Sequence, residues 1–189
     1  MGRNSSGNRG GGRGNRLMQS VLSAERSIRM NRYESIIGID DGGNILLKKR
    51  GGKTSVYVDI SEGKKLKDAV ITHNHPRALG KSGILAIGNS FSGEDLHLAV
   101  SYNAREIRAV TPTYTFSMKR PKGGWGVSPD KVIKEQRRIS NDVITEYMKY
   151  VLDRKLSVTA ADRAEVMHFH EVNKRLAKLF GWNYSKRRG

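Results

Sequence analysis

The order of local signals in the chain predicts an α+β fold, with a mainly β centre and a helical C-terminal extension. Three observations carry this reading. Short apolar or alternating runs cluster between residues 33 and 119, one amphipathic helical stripe precedes them, and the chain after Ser128-Pro129 reads as long helices. In order, Leu17 to Arg32 is expected as a helix, with Leu17, Val21, Ala24 and Ile28 on one face. Tyr33 to Asp40 is a short apolar strand, and Asp41-Gly42-Gly43-Asn44 is a hairpin turn before Ile45-Leu46-Leu47. Thr54 to Ile60 sets Val56, Val58 and Ile60 against Tyr57 and Asp59, the alternation of a third strand. Ala69 to Thr72 is a buried-type strand that runs into His73-Asn74-His75-Pro76. Residues 76–89 read as a loop carrying Gly80, Gly83 and Gly88, with Ile84 to Ile87 offering a short element. Ser92 to Asn103 is a helix, followed by strands at Glu106 to Thr111 and Tyr114 to Lys119. Ser128 as N-cap and Pro129 at the first helical position start a helix to about Lys155. Thr159 caps the last helix, which ends at Phe180 before Gly181. No internal repeat is visible.

Charge and composition bound the function. The 189 residues hold 35 Lys+Arg against 18 Asp+Glu, a net charge of +17, and 37% hydrophobic residues, enough for a core. Cysteine is absent, which excludes a disulfide scaffold and any thiolate metal site. No apolar run approaches the roughly 20 residues of a membrane span, and the N-terminus lacks the apolar core of a secretory signal. The expectation is a cytoplasmic or virion protein with no membrane partner. Residues 1–16 contain four Arg, six Gly and no acid, and are expected as a disordered arm. Arg3, Arg9, Arg13 and Arg16 would bind nucleic acid nonspecifically through phosphates. The remaining charge is dispersed over clusters such as Lys48-Lys49-Arg50 and Arg187-Arg188, with no interleaved aromatics. Residues 17–125 are read as the α+β domain and 126–189 as the helical extension packed on it. Trp125, Trp182 and Tyr184 are read as packing anchors.

The chemistry concentrates at Thr72-His73-Asn74-His75-Pro76 and Ser92-Gly93-Glu94-Asp95. Histidines two apart on a strand point the same way, and Pro76 then ends the ladder. With Asp95 from the first turn of the next helix they form a His-His-Asp set suited to zinc, leaving a coordination position open. Ser92 and Asp95 also read as a capping box, with Phe91 and Leu96 as its hydrophobic staple. A second His-x-His, His168 and His170, falls on a helix, where residues two apart do not share a face.

His-x-His-Pro, a loop and Ser-x-x-Asp together resemble the JAMM (JAB/MPN) metalloprotease family, including its RadC-like branch with His-Asn-His-Pro. The resemblance covers roughly residues 33–119. It implies a cytidine-deaminase-like mixed sheet flanked by helices. It also implies zinc on His73, His75 and Asp95, Ser92 supporting the oxyanion, and Glu34 as general base. A looser likeness runs through Thr72 to Pro76, Phe91 to Leu96, Glu106 to Val110, Thr113 to Trp125 and His170 to Tyr184. It points to a domain found in phage and prophage proteins. The resemblance therefore implies a zinc-dependent hydrolase of peptide or isopeptide bonds, with a polypeptide substrate. The sixteen residues between His75 and Ser92 exceed the family's usual loop. They leave open the alternative of a non-enzymatic basic virion or nucleoprotein component, with viral structural proteins and nucleic acid as partners. A nuclease of the His-Asn-His type ranks below both, because that motif spreads its histidines over a ββα element.

Overall fold

The computed structural model describes residues 10–154 and 158–189. Its centre is a six-stranded mixed sheet of β1 (Ser35–Ile39), β2 (Ile45–Arg50), β3 (Val70–Asn74), β4 (Glu106–Val110), β5 (Tyr114–Lys119) and β6 (Asn183–Arg188). The spatial order is β2-β1-β3-β4-β5-β6, with β3 and β4 parallel and every other pair antiparallel. The helices are α1 (Gly10–Ile28), α2 (Ile60–Lys64), α3 (Gly93–Ser101), α4 (Pro129–Arg154) and α5 (Val158–Phe180). The α+β class expected from the sequence is therefore what the chain adopts. Among the described residues no helix is long and apolar enough to cross a membrane.

The pleat of β3 divides the core. Ile71 and His73 point to one face, Val70, Thr72 and Asn74 to the other. On the second face lies α1, whose buried Val21, Ala24 and Ile28 pack with Ile37, Ile39, Val70 and Val110. A buried ionic cluster locks it there. Arg108 Nε lies 2.5 Å from Glu25 of α1, and Arg108 Nη1 lies 2.7 Å from Glu106, which also accepts from Ser117 Oγ at 2.6 Å. On the first face the larger cluster joins Ile71, Phe91, Leu96, Ile107 and Phe116 to Val132, Ile139, Val172, Leu176 and Trp182. Helices α4 and α5 thus complete the core of the sheet. Trp125 Nε1 donates to the Ala104 carbonyl at 2.9 Å and Trp182 Nε1 to that of Trp125 at 2.8 Å, with the two rings edge to face. Both indoles are packing anchors.

Three expectations need correction. Helix α1 begins at Gly10, inside the segment expected as an arm; residues 1–9, with Arg3 and Arg9, lie outside the described residues. Once a stripe such as Leu17-Val21-Ala24-Ile28 is nucleated, extending it by a turn adds one hydrogen bond per residue, even through Gly and Arg. Residues 54–59 form no strand, with Val56 and Val58 packed against the core and Tyr57 exposed. Alternation reports one-sided burial, which a segment lying across a sheet satisfies as well as one within it. Asp59 and Glu62 then close a capping box on α2, which the sequence reading passed over. The extension is also more than helical, since β6 returns to pair with β5. Asn-Tyr-Ser-Lys-Arg-Arg has no apolar alternation to announce a strand.

Strands β2 and β6 are the two edges of the sheet, and each carries three consecutive cations: Lys48-Lys49-Arg50 and Lys186-Arg187-Arg188. Charge on an edge strand opposes pairing with a second chain. Part of the net +17 therefore has a structural role.

Candidate metal centre

His73 stands in β3 between β1 and β4, opposite Ile36 and Ala109. The ladder continues one residue past the strand, through His75 N–H to the Val110 carbonyl at 2.9 Å. This keeps His75 on the face of His73 before Pro76 turns the chain into a 3-10 helix, Pro76–Ala78. A second 3-10 turn, Gly83–Ile87, follows within the expected loop. Asp95 arrives from the first turn of α3, whose N-cap is Ser92 as the capping box requires. Ser92 N–H donates to Asp95 Oδ2 at 2.7 Å, and Asp95 N–H donates to Ser92 Oγ at 3.2 Å.

The three side chains converge. His73 Nε2 lies 2.9 Å from His75 Nε2 and 3.2 Å from Asp95 Oδ1, and His75 Nε2 lies 3.7 Å from Asp95 Oδ2. Donors about 2.0–2.1 Å from one tetrahedral ion sit about 3.3 Å apart, so these separations suit a shared cation. Among the described residues this is the one cluster with such geometry. Three protein donors leave a fourth position open, toward a cleft of about 870 Å³. His75 Nδ1 lies 2.9 Å from the Asn89 carbonyl, which accepts its proton and turns the Nε2 lone pair inward. His73 Nδ1 is buried without a partner.

Electrostatics agree with the geometry. Burial opposes the charge on Asp95, yet His73 and His75 outweigh it and hold the carboxyl well below its ordinary range. Burial likewise opposes protonation of His75, but hydrogen bonding and charge from Asp95, the Asn89 carbonyl and Glu34 raise its pKa. The centre is thus built to hold positive charge where the three donor atoms meet.

Glu34 lines the same cleft. Its backbone is pinned to β2's continuation, Glu34 N–H to Gly52 and Gly51 N–H to Glu34, both at 2.8 Å. Burial raises its pKa, the two histidines lower it, and Asp95 raises it further. Ser92 also lines the cleft, but its Oγ donates to Asp95 Oδ2 at 2.8 Å. In this arrangement it holds Asp95. Arg16 is exposed on α1 and does not line the cleft; Arg13 falls in the first turns of α1.

Two supporting residues escaped the sequence reading. Asn74, fully buried between the two histidines, accepts from Ser35 N–H at 2.8 Å and donates to the carbonyls of Asn31 and Tyr33. It ties the turn carrying Glu34 to the strand carrying His73. Its signal was its position: in His-x-His on a strand, the middle side chain must enter the opposite face, and a polar one there needs partners. Asn89 acts through its carbonyl, which no side-chain pattern can announce.

No family model, curated protein or solved structure matches this chain. The centre therefore stands on its own geometry.

Proposed function

We propose that the protein is a zinc-dependent hydrolase of the JAMM type, of phage or prophage origin, acting on peptide or isopeptide bonds. The observation that carries this reading is the convergence of His73, His75 and Asp95 on one point of a cleft that Glu34 also lines. The mixed sheet, with its His-x-His strand central and its Ser-x-x-Asp helix following, supports the JAB/MPN-like assignment. A His pair with one carboxylate suits zinc, and the absence of cysteine leaves no thiolate donor.

Zinc, when bound, supplies Lewis acidity toward the scissile carbonyl and the attacking water. Glu34 takes the proton from that water and passes it to the leaving amine. Its burial makes it a stronger base than an exposed carboxylate. Asp95 and the Nδ1-anchored His75 hold the donor geometry. Ser92 orients Asp95, and its further role at the oxyanion requires its proton to turn away from Asp95 as charge develops.

The test is a peptide and isopeptide library incubated with zinc-loaded protein and read by mass spectrometry for new termini. Wild type is expected to generate cleavages that Glu34→Gln loses while retaining its metal. The net charge of +17 favours the second reading, a non-enzymatic virion or nucleoprotein component. Absence of cleavage by metal-loaded wild type, with salt-sensitive DNA binding equal in His73→Ala, would decide for it.

A further inference from the structure

Residues 89–92 support all three candidate ligands. The Asn89 carbonyl accepts from His75 Nδ1 at 2.9 Å. Phe91, fully buried, lies with its ring centroid 6.4 Å from that of His73. Ser92 bonds Asp95 through both its backbone and its hydroxyl. Three of these four consecutive residues thus contact the triad, one for each member.

This run has no strand or helix of its own to hold it. At its N-terminal side Thr111 Oγ1 donates to the Ile87 carbonyl at 2.8 Å, and Gly88 follows at φ 70°. A side chain at Gly88 would have its Cβ 2.7 Å from the Thr111 methyl, so the chain passes there only as glycine. At its centre the fastening comes from far along the chain. Asn173, in the middle of α5 and fully buried, places Nδ2 2.9 Å from Ser90 Oγ, 2.8 Å from the Phe91 carbonyl and 2.9 Å from the Phe169 carbonyl. Ser90 Oγ in turn donates to the Phe169 carbonyl at 3.1 Å. The Asn173 amide therefore spans the run and its own helix.

Building on the metal-centre reading, we propose that Asn173 is a positioning residue of that centre: it sets residues 89–92 and, through them, the orientation of His75, His73 and Asp95. It touches none of the ligands. Its action is to share two N–H donors among acceptors on this stretch and on its own helix, all in a dry interior where leaving them unmet is costly. The C-terminal helix is then part of the site, although its sequence lies outside the His-x-His and Ser-x-x-Asp motifs.

The test uses Co²⁺ as the probe in the full chain, with affinity from a chelator competition and ligand geometry from the visible d–d absorption. Asn173→Leu keeps the branched shape with a somewhat larger side chain and removes the donors. It is expected to weaken Co²⁺ binding by up to about 10-fold, the low end for outer-shell partners because it acts one step further out, and to change the absorption band. Val172→Ala, a buried neighbour on α5 that makes none of these hydrogen bonds, is the control for mere destabilisation and is expected to leave the band unchanged. An Asn173→Leu protein with wild-type affinity and spectrum overturns the inference while leaving the metal reading intact. A wild type that takes up no Co²⁺ overturns both. If Asn173→Leu does not fold, Ser90→Ala decides: a weaker, altered Co²⁺ site is expected, and an unaltered one counts against the inference.

Discussion

The chain contains two His-x-His pairs, and they do opposite things. His73 and His75, at the end of a strand, bring their Nε2 atoms to 2.9 Å. His168 and His170, on α5, diverge: His168 Nε2 meets Ser140 Oγ of α4 at 2.9 Å, whereas His170 Nδ1 meets the Tyr184 hydroxyl of β6 at 2.9 Å. Two residues along a helix turn the side chain by about 200°, and two along a strand return it to the same face. The same spacing therefore brings two ring nitrogens together in one place and sends them to two separate hydrogen bonds in the other. Burial sharpens the contrast. Among the described residues no carboxylate offsets the desolvation of His170, the Lys186 charge adds to it, and its pKa falls to about 4; at His75 Asp95 reverses the effect of burial.

The largest expected difference between the pairs is in metal affinity. His73→Ala should weaken Zn²⁺ binding by more than about 100-fold, beyond what outer-shell changes achieve, and His168→Ala should leave it unchanged. Isothermal titration with a competing chelator reads both. Equal losses from the two variants would erase the distinction.

The next difference is in pH dependence. His170 is neutral in the fold at pH values where the unfolded chain, with an ordinary histidine, is protonated. Above pH about 6.5 its lowered pKa therefore carries no proton-linked cost, and stability is lost progressively as pH falls from there toward about 4, by about 3 kcal/mol in total. His168, also lowered by burial, adds in the same direction. Urea unfolding at pH 7 and pH 4.5 should show a smaller acid loss in His170→Gln than in wild type.

A smaller effect separates the two jobs of Asp95. Asp95→Asn keeps an oxygen for the Ser92 N–H and should hold helix stability, whereas Asp95→Ala should cost about 1 kcal/mol from the broken capping box. Both should lose the metal. The smallest effect belongs to His168→Ala, whose single hydrogen bond to Ser140 should be worth about 1 kcal/mol or less at neutral pH.

The legible parts of the molecule share a property: their signals are local. The triad was readable because His73-x-His75 sits on an apolar run and Ser92-x-x-Asp95 opens a helix, so period and cap chemistry both act within a few residues. The strands β1, β3, β4 and β5 were readable for the same reason. The failures are non-local. Strand β6 draws its place from pairing with β5, not from its own polar residues. The 54–58 segment lines the cleft without pairing in the sheet. Asn173 reaches the site over more than 80 residues of chain, and the Asn89 carbonyl carries no residue-specific mark at all. Part of the net charge, the most visible number in the sequence, lies on the two edge strands of the sheet.

The strand pair is proposed as a metal centre and the helix pair is not. Metal content per chain after Zn²⁺ loading and exhaustive dialysis, measured by mass spectrometry on wild type, His75→Ala and His168→Ala, tests that directly. About one zinc per chain is predicted in wild type and His168→Ala and essentially none in His75→Ala. A wild type that retains no metal, or a His75→Ala protein that retains as much as wild type, would contradict it.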